Sequence, residues 1–138
     1  RTVRMPVHLP KLERTDLVYP ELCYQVMGIL FDVWKEVGYG HKERMYQQAV
    51  ANGLREAKLV IQEQLPTKVL YKDKPVGLYY FDFLIEGKII LELKTRNYFS
   101  KQDLDQIYAY LKASDLKLGV LALFTRSGVK YKRIVNVE

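Results

Sequence analysis

Apolar residues recur every three or four positions along residues 20–38: Leu22, Val26, Ile29, Leu30, Val33, Trp34 and Val37. That spacing draws one stripe on an α-helix, with Pro20 suited to its first turn and Gly38 to its stop. Gly38-Tyr39-Gly40 breaks the chain. A second stripe of Tyr46, Ala49, Val50, Gly53, Leu54 and Ala57 predicts a helix over about residues 42–58. The period then drops to two. Residues 59–71 place Ile61, Leu65, Val69 and Tyr71 on one face of a strand, and Pro66 within it argues for an edge position or a bulge. After a turn at Lys72-Asp73-Lys74-Pro75, two strands over about residues 76–85 and 88–95 are apolar on both faces, which calls for cover on both sides. Ser100 and Asp103 open a third helix in the manner of a capping box, running to about residue 113 with Leu104, Ile107, Tyr108 and Leu111 as its packed face. Residues 116–125 and 129–137 read as two further strands around a Ser127-Gly128 turn.

The order is therefore helix, helix, three strands, helix, two strands. A three-strand meander, a crossover helix and a returning pair make a mixed sheet flanked by helices, an α/β layer domain. Residues 1–17 carry Pro6 and Pro10 and no period, and read as an extended lead-in. Residues 18–138 read as a single domain, long enough to bury a core.

Charge interrupts this pattern where a core would want none. Asp82 lies deep in the second strand, and Glu92 and Lys94 lie in the third. Glu92 and Lys94, two apart, share a face. Asp82 joins them only if the loop around Glu86-Gly87 is odd-numbered. A two-residue turn would pair Asp82 with Leu91 and point it away. A three-residue loop of Ile85, Glu86 and Gly87, with Gly87 left-handed, pairs Asp82 with Ile90 and gathers all three charges on one side. The odd loop is the expectation.

Composition narrows the setting. The lone Cys23 excludes an internal disulfide and a cysteine metal cluster, and favours a reducing, cytoplasmic environment. No run approaches the ~20 apolar residues of a membrane span, and no secretory pattern opens the chain. The net charge is +6, and from Lys94 onward nine Lys/Arg face four Asp/Glu, which suits a polyanionic partner without identifying one.

Asp82, Glu92 and Lys94 have two readings. They can form a structural salt-bridge cluster, although buried clusters of that kind add little net stability. Alternatively, two carboxylates on a rigid sheet, with the carbonyl of Leu93 as a third oxygen, offer hard ligands to Mg²⁺ or Mn²⁺. Such an ion lowers the pKa of a bound water, while Lys94 offsets charge on a phosphorus centre. Glu43, in the first turn of the second helix, by itself suits simple stabilisation of a helix N-terminus.

These residues resemble a family. Asp82 followed after ten residues by Glu92-Leu93-Lys94 is similar to the PD-(D/E)xK nuclease signature. Gly40-His41-Lys42-Glu43-Arg44-Met45-Tyr46 matches the GxxExxY pattern of one branch of that superfamily, and Gln106-Ile107-Tyr108-Ala109-Tyr110 resembles the Q-x-x-x-Y motif of RecB-like nucleases. Phe81 departs from the pattern, standing where a proline precedes the signature aspartate. The resemblance covers about residues 21–135. It implies a restriction-endonuclease-like fold, with Asp82 and Glu92 as metal ligands, Glu43 as a further ligand, Lys94 as the catalytic lysine, and Gln106 and Tyr110 lining the site. It implies a Mg²⁺- or Mn²⁺-dependent nuclease and no particular substrate. DNA is favoured over RNA as the nucleic acid cut, and with no zinc finger or separate recognition helix in the sequence, intrinsic specificity is expected to be low. Arg96, Lys101, Lys112, Arg126 and Lys130 are candidates for phosphate contacts. A homodimer would suit a small domain that cuts both strands. The competing reading is a non-catalytic nucleic-acid-binding module, or an assembly component, on the same fold.

Overall fold

The first helix, α1 (Pro20–Val37), starts on its proline and stops at Gly38, as its stripe requires. A computed structural model describes residues 18–137, so the lead-in expected at residues 1–17 lies outside the described residues. The second helix, α2 (Glu43–Glu56), is slightly shorter than its stripe suggested. Five strands follow, β1 (Ile61–Tyr71), β2 (Lys74–Ile85), β3 (Ile89–Lys94), β4 (Leu118–Thr125) and β5 (Gly128–Val135), with α3 (Lys101–Ser114) between β3 and β4. They form one sheet in sequence order, with β3 and β4 parallel and every other pair antiparallel. The single parallel pair is the one that α3 connects, as a crossover must. This is the expected α/β arrangement, a mixed sheet flanked by helices with a restriction-endonuclease-like order.

Helices cover both faces. On one, Val26, Met27 and Leu30 of α1 and Tyr46, Val50 and Leu54 of α2 pack on Phe83, Leu91, Leu93, Val120 and Phe124. On the other, Ile107 and Leu111 of α3 pack on Phe81, Ile90, Leu121 and Leu123. Each large side chain buried this way contributes about 1.5–3 kcal/mol. Tyr46 stacks on Phe124 with ring centroids 4.4 Å apart, and its hydroxyl donates to the carbonyl of Gly38. Gly38 (φ 76°) and Gly40 (φ 103°) take the left-handed backbone that glycine tolerates, so this bond fixes the loop leading into α2. Ser100 caps α3 by accepting from the Asp103 amide.

Two expectations need correction. The β2–β3 loop is odd-numbered, but it comprises Glu86, Gly87 and Lys88, between the paired residues Ile85 and Ile89. Glu86 and Gly87 are both left-handed (φ 55° and 66°), which moves the turn one residue onward. Extended past Phe83, this register sets Asp82 level with Glu92, not with Ile90, and keeps the parity of the loop. The second correction concerns cover. Val76 and Leu78 of β2, and Val69 and Tyr71 of β1, are exposed. The β2–β3 ladder reaches only from Ile85 to Phe83, so the outer halves of β1 and β2 form a two-stranded ribbon with no helix over it.

Alternation also fails at Asp82. Phe81 and Phe83, two apart, should share a face, yet Phe83 packs under α1 and α2 while Phe81 packs under α3. Beside this break, Gln64 of β1 is left-handed (φ 54°) and drops out of the pairing with β2.

Candidate active site

Beyond the Phe83–Leu91 pair the ladder opens, and the side chains of Asp82 and Glu92 take the place of backbone carbonyls. The Asp82 amide donates to Glu92 Oε1 at 2.9 Å, and the Leu93 amide donates to Asp82 Oδ2 at 2.8 Å. Each carboxylate thus satisfies a backbone N–H of the opposite strand. The outer oxygens are held by side chains. Gln47 Nε2 donates to Asp82 Oδ1 at 2.8 Å, and the Tyr79 hydroxyl donates to Glu92 Oε2 at 2.7 Å. Lys94 completes the group, its Nζ 3.7 Å from Glu92 Oε2. The predicted trio of Asp82, Glu92 and Lys94 is therefore brought together.

The two acids are 5% and 3% exposed, and burial governs their chemistry. Asp82 is pushed up to about 8, first by desolvation and then by the charge of Glu92 and of Glu43, against the Leu93 amide and Lys94. Glu92 is also raised by burial, against the Tyr79 hydroxyl, the Asp82 amide and Lys94. Tyr79 is raised by burial and by the charge of Glu92, so it stays a donor. Lys94 is a single cation facing two buried acids, so without a second cation Asp82 keeps its proton at neutral pH.

Glu43 is the first residue of α2 and accepts from the Thr95 amide at 3.3 Å, just past Lys94. It stands near the pair without closing on it. Among the described residues, no three His, Cys, Asp or Glu side chains converge into a ready-made metal cage. Two clustered acids with hard oxygens, a third within electrostatic reach and a proton on Asp82 that a cation would displace nevertheless suit Mg²⁺ or Mn²⁺ in kind and in sign.

The remaining candidates are spread more widely. The Tyr110 ring lies against Phe81 at 5.0 Å, beside the strand that carries Asp82. Gln106, one turn earlier on α3, makes no hydrogen bond with the carboxylates. Arg96 is held by Asp103 at 2.6 Å and over the Tyr98 ring, and Lys101 pairs with Asp105 at 2.7 Å on the exposed face of α3. Arg126 lies over Tyr39 at the end of the sheet where Lys94 emerges. Lys130 is level with Lys94 across Leu123, two strands over and roughly 10 Å away on the same face. Lys112 lies over Tyr108 in the last turn of α3, at the opposite end of the molecule from the carboxylates.

Gln47 and Tyr79 were not among the predicted site residues. Gln47 was within reach of sequence reasoning, since it follows Glu43 by four on a helix and shares its face. Tyr79 was not, because it is three residues from Asp82 and regular alternation points the two apart. The break at Asp82 turns it inward.

A five-stranded mixed sheet with paired acids and a lysine at its opened centre defines a class of nuclease-like domains. The family model of the PD-(D/E)XK nuclease superfamily matches residues 20–134, and the chain belongs to that superfamily. A search of curated proteins finds no match. Among solved structures, the crystal structure of SSO0001 is similar over 92% of this chain, with a TM-score of 0.49 and 16% sequence identity. The present chain covers 63% of that one.

Proposed function

We propose that this protein is a divalent-metal-dependent nuclease that hydrolyses phosphodiester bonds, in DNA rather than RNA, with little intrinsic sequence preference. The observation that carries this reading is the buried Asp82–Glu92 pair, oriented by four donors and short of positive charge. Asp82, Glu92, the carbonyl of Leu93 and Glu43 would hold Mg²⁺ or Mn²⁺. When bound, the ion would supply Lewis acidity toward the attacking water and the phosphate.

The chain's own groups do the rest. Gln47 and Tyr79 each occupy one oxygen of a carboxylate and so fix which lone pairs stay free; they are positioning residues. Lys94 has a side chain one-fifth exposed, so its ammonium can reach a phosphate oxygen while staying tied to Glu92. Tyr110 and Gln106 flank the entry from α3. Arg96, Lys101, Arg126 and Lys130 supply backbone phosphate contacts near this end of the sheet, with Lys112 reached only by a longer substrate. Residues 18–138 act as one domain in this reading, and two copies would serve to cut both strands. No helix among the described residues is long and apolar enough to cross a membrane. The buried, unpaired Cys23 suits a reducing cytoplasm.

The test is incubation with plasmid and single-stranded DNA in Mg²⁺, Mn²⁺ or chelator, alongside Lys94→Ala and Asp82→Asn. Metal-dependent cutting lost in both variants is expected. Binding without cutting under every metal would instead make the protein a non-catalytic module.

A further inference from the structure

Beyond Leu65 of β1 and Tyr79 of β2, which pack at the edge of the core, the outer ribbon of these two strands is exposed, and its composition is unusual for bare sheet. From Asp82 back to Lys74, β2 pairs with β1 alone, a span of about 26 Å at 3.3 Å per residue. β2 is antiparallel to β3, so this ribbon leaves the sheet at the same end as Lys94, the end where the carboxylates open. Its exposed apolar residues include Leu70, Tyr71 and Leu78, at 54%, 63% and 56% exposure. Between Pro66 and Tyr80 its charged residues are Lys68, Lys72 and Lys74 against Asp73 alone. The Lys72 ammonium already lies over the Tyr71 ring, 5.3 Å from its centroid.

We propose that this ribbon is a substrate arm that lies in a groove of double-helical nucleic acid and so makes duplex the preferred substrate. The assignment rests on the nuclease reading for the site it serves. A two-stranded ribbon fits the major groove, which is about 12 Å wide. Its three lysines meet phosphates on the groove walls, while Tyr71 and the aliphatic side chains rest on sugars and base edges. Self-association through the ribbon is opposed by its own positive charge. An anionic duplex satisfies the lysines and the exposed apolar surface together. The ribbon's length spans more than half a helical turn of duplex, so a strand held along it is carried toward Asp82 and Glu92.

The experiment uses the full chain and two variants, Lys68→Glu/Lys72→Glu/Lys74→Glu and Tyr71→Ala, all of which alter exposed residues remote from both packed clusters. Binding to a labelled 20-base-pair DNA duplex and to one of its single strands is measured by fluorescence anisotropy in chelator over a salt series. Hydrolysis of bis(p-nitrophenyl) phosphate in Mn²⁺ is measured in parallel. The triple variant is expected to bind duplex about 10–100-fold more weakly, with the slope of log K against log salt shallower by about 3. It is expected to bind single strands nearly as before and to hydrolyse the small diester at the wild-type rate. Equal duplex binding by wild type and triple variant overturns the proposal. So does a dimer, seen by analytical ultracentrifugation, that Tyr71→Ala dissociates without changing duplex binding. A wild-type protein that binds duplex through the ribbon but hydrolyses neither DNA nor the diester removes the nuclease reading and leaves the arm standing.

Discussion

Asp82→Asn should make the metal-free protein more stable at alkaline pH while removing its activity. The folded protein holds the Asp82 carboxyl near 8, against an ordinary value of 3.8. A carboxyl raised on folding contributes stability at low pH and loses it as the pH rises through the folded value. From pH 5 to the point where the folded carboxyl ionises is about three pH units, which at 1.36 kcal/mol per unit amounts to about 4 kcal/mol. At a few degrees of Tm per kcal/mol for a domain of this size, wild type in chelator should lose roughly 10–15 °C between pH 5 and pH 9. Asparagine carries no charge there. Its oxygen can still accept from the Leu93 amide, and Gln47 can turn its own amide to accept from the new donor, so packing is preserved. Scanning fluorimetry over this range, with and without Mn²⁺, checks the claim. The variant should show a flatter pH profile and little response to Mn²⁺, whereas wild type at pH 8 should be restabilised by the ion. A wild-type Tm that holds level or rises from pH 5 to 9, or a variant that tracks it, would refute the account of the buried pair.

Three other outcomes follow from the same geometry. Lys94→Ala should lower plasmid nicking by about 10²–10³-fold, and should also lower Tm at neutral pH by a few degrees because it removes the one cation beside the buried acids; Mn²⁺ should restore the Tm but not the nicking, which fluorimetry and nicking assays check. Tyr79→Phe removes the donor to Glu92 Oε2, which should cost about 1 kcal/mol in denaturant unfolding and shift the acidic limb of the cleavage pH profile upward. Gly119→Ala would press a methyl on Ile107 Cγ2 between β4 and α3, which should cost about 1–3 kcal/mol in Tm measurements without altering the site.

The helices and strand order were legible because each element has a single periodicity tied to one burial face. The charged positions were legible for the opposite reason, since Asp82, Glu92 and Lys94 sit in runs where nothing else is ionisable. Phase was harder to read. The loop at Glu86 accepts a left-handed non-glycine residue, so the turn moved by one residue and the pairing by two, and its parity held. The break at Asp82 and Gln64 leaves no trace in alternation, and it is what brings Tyr79 to Glu92. The outer half of β2 is bare where cover was expected, because an apolar strand left exposed has the same pattern as one destined for the core.

The opened β2–β3 ladder has a consequence for any attempt to move this centre elsewhere. Asp82 and Glu92 stand in for the carbonyls that the neighbouring strand's amides would otherwise find, so the gap between the strands exists only while both acids are present. Leucine or valine at either position would invite the two backbones to zip shut. Grafting the acids and the lysine onto a regular sheet would accordingly reproduce the reagents but not the crevice; the amides of residues 82 and 93 would have to travel with them.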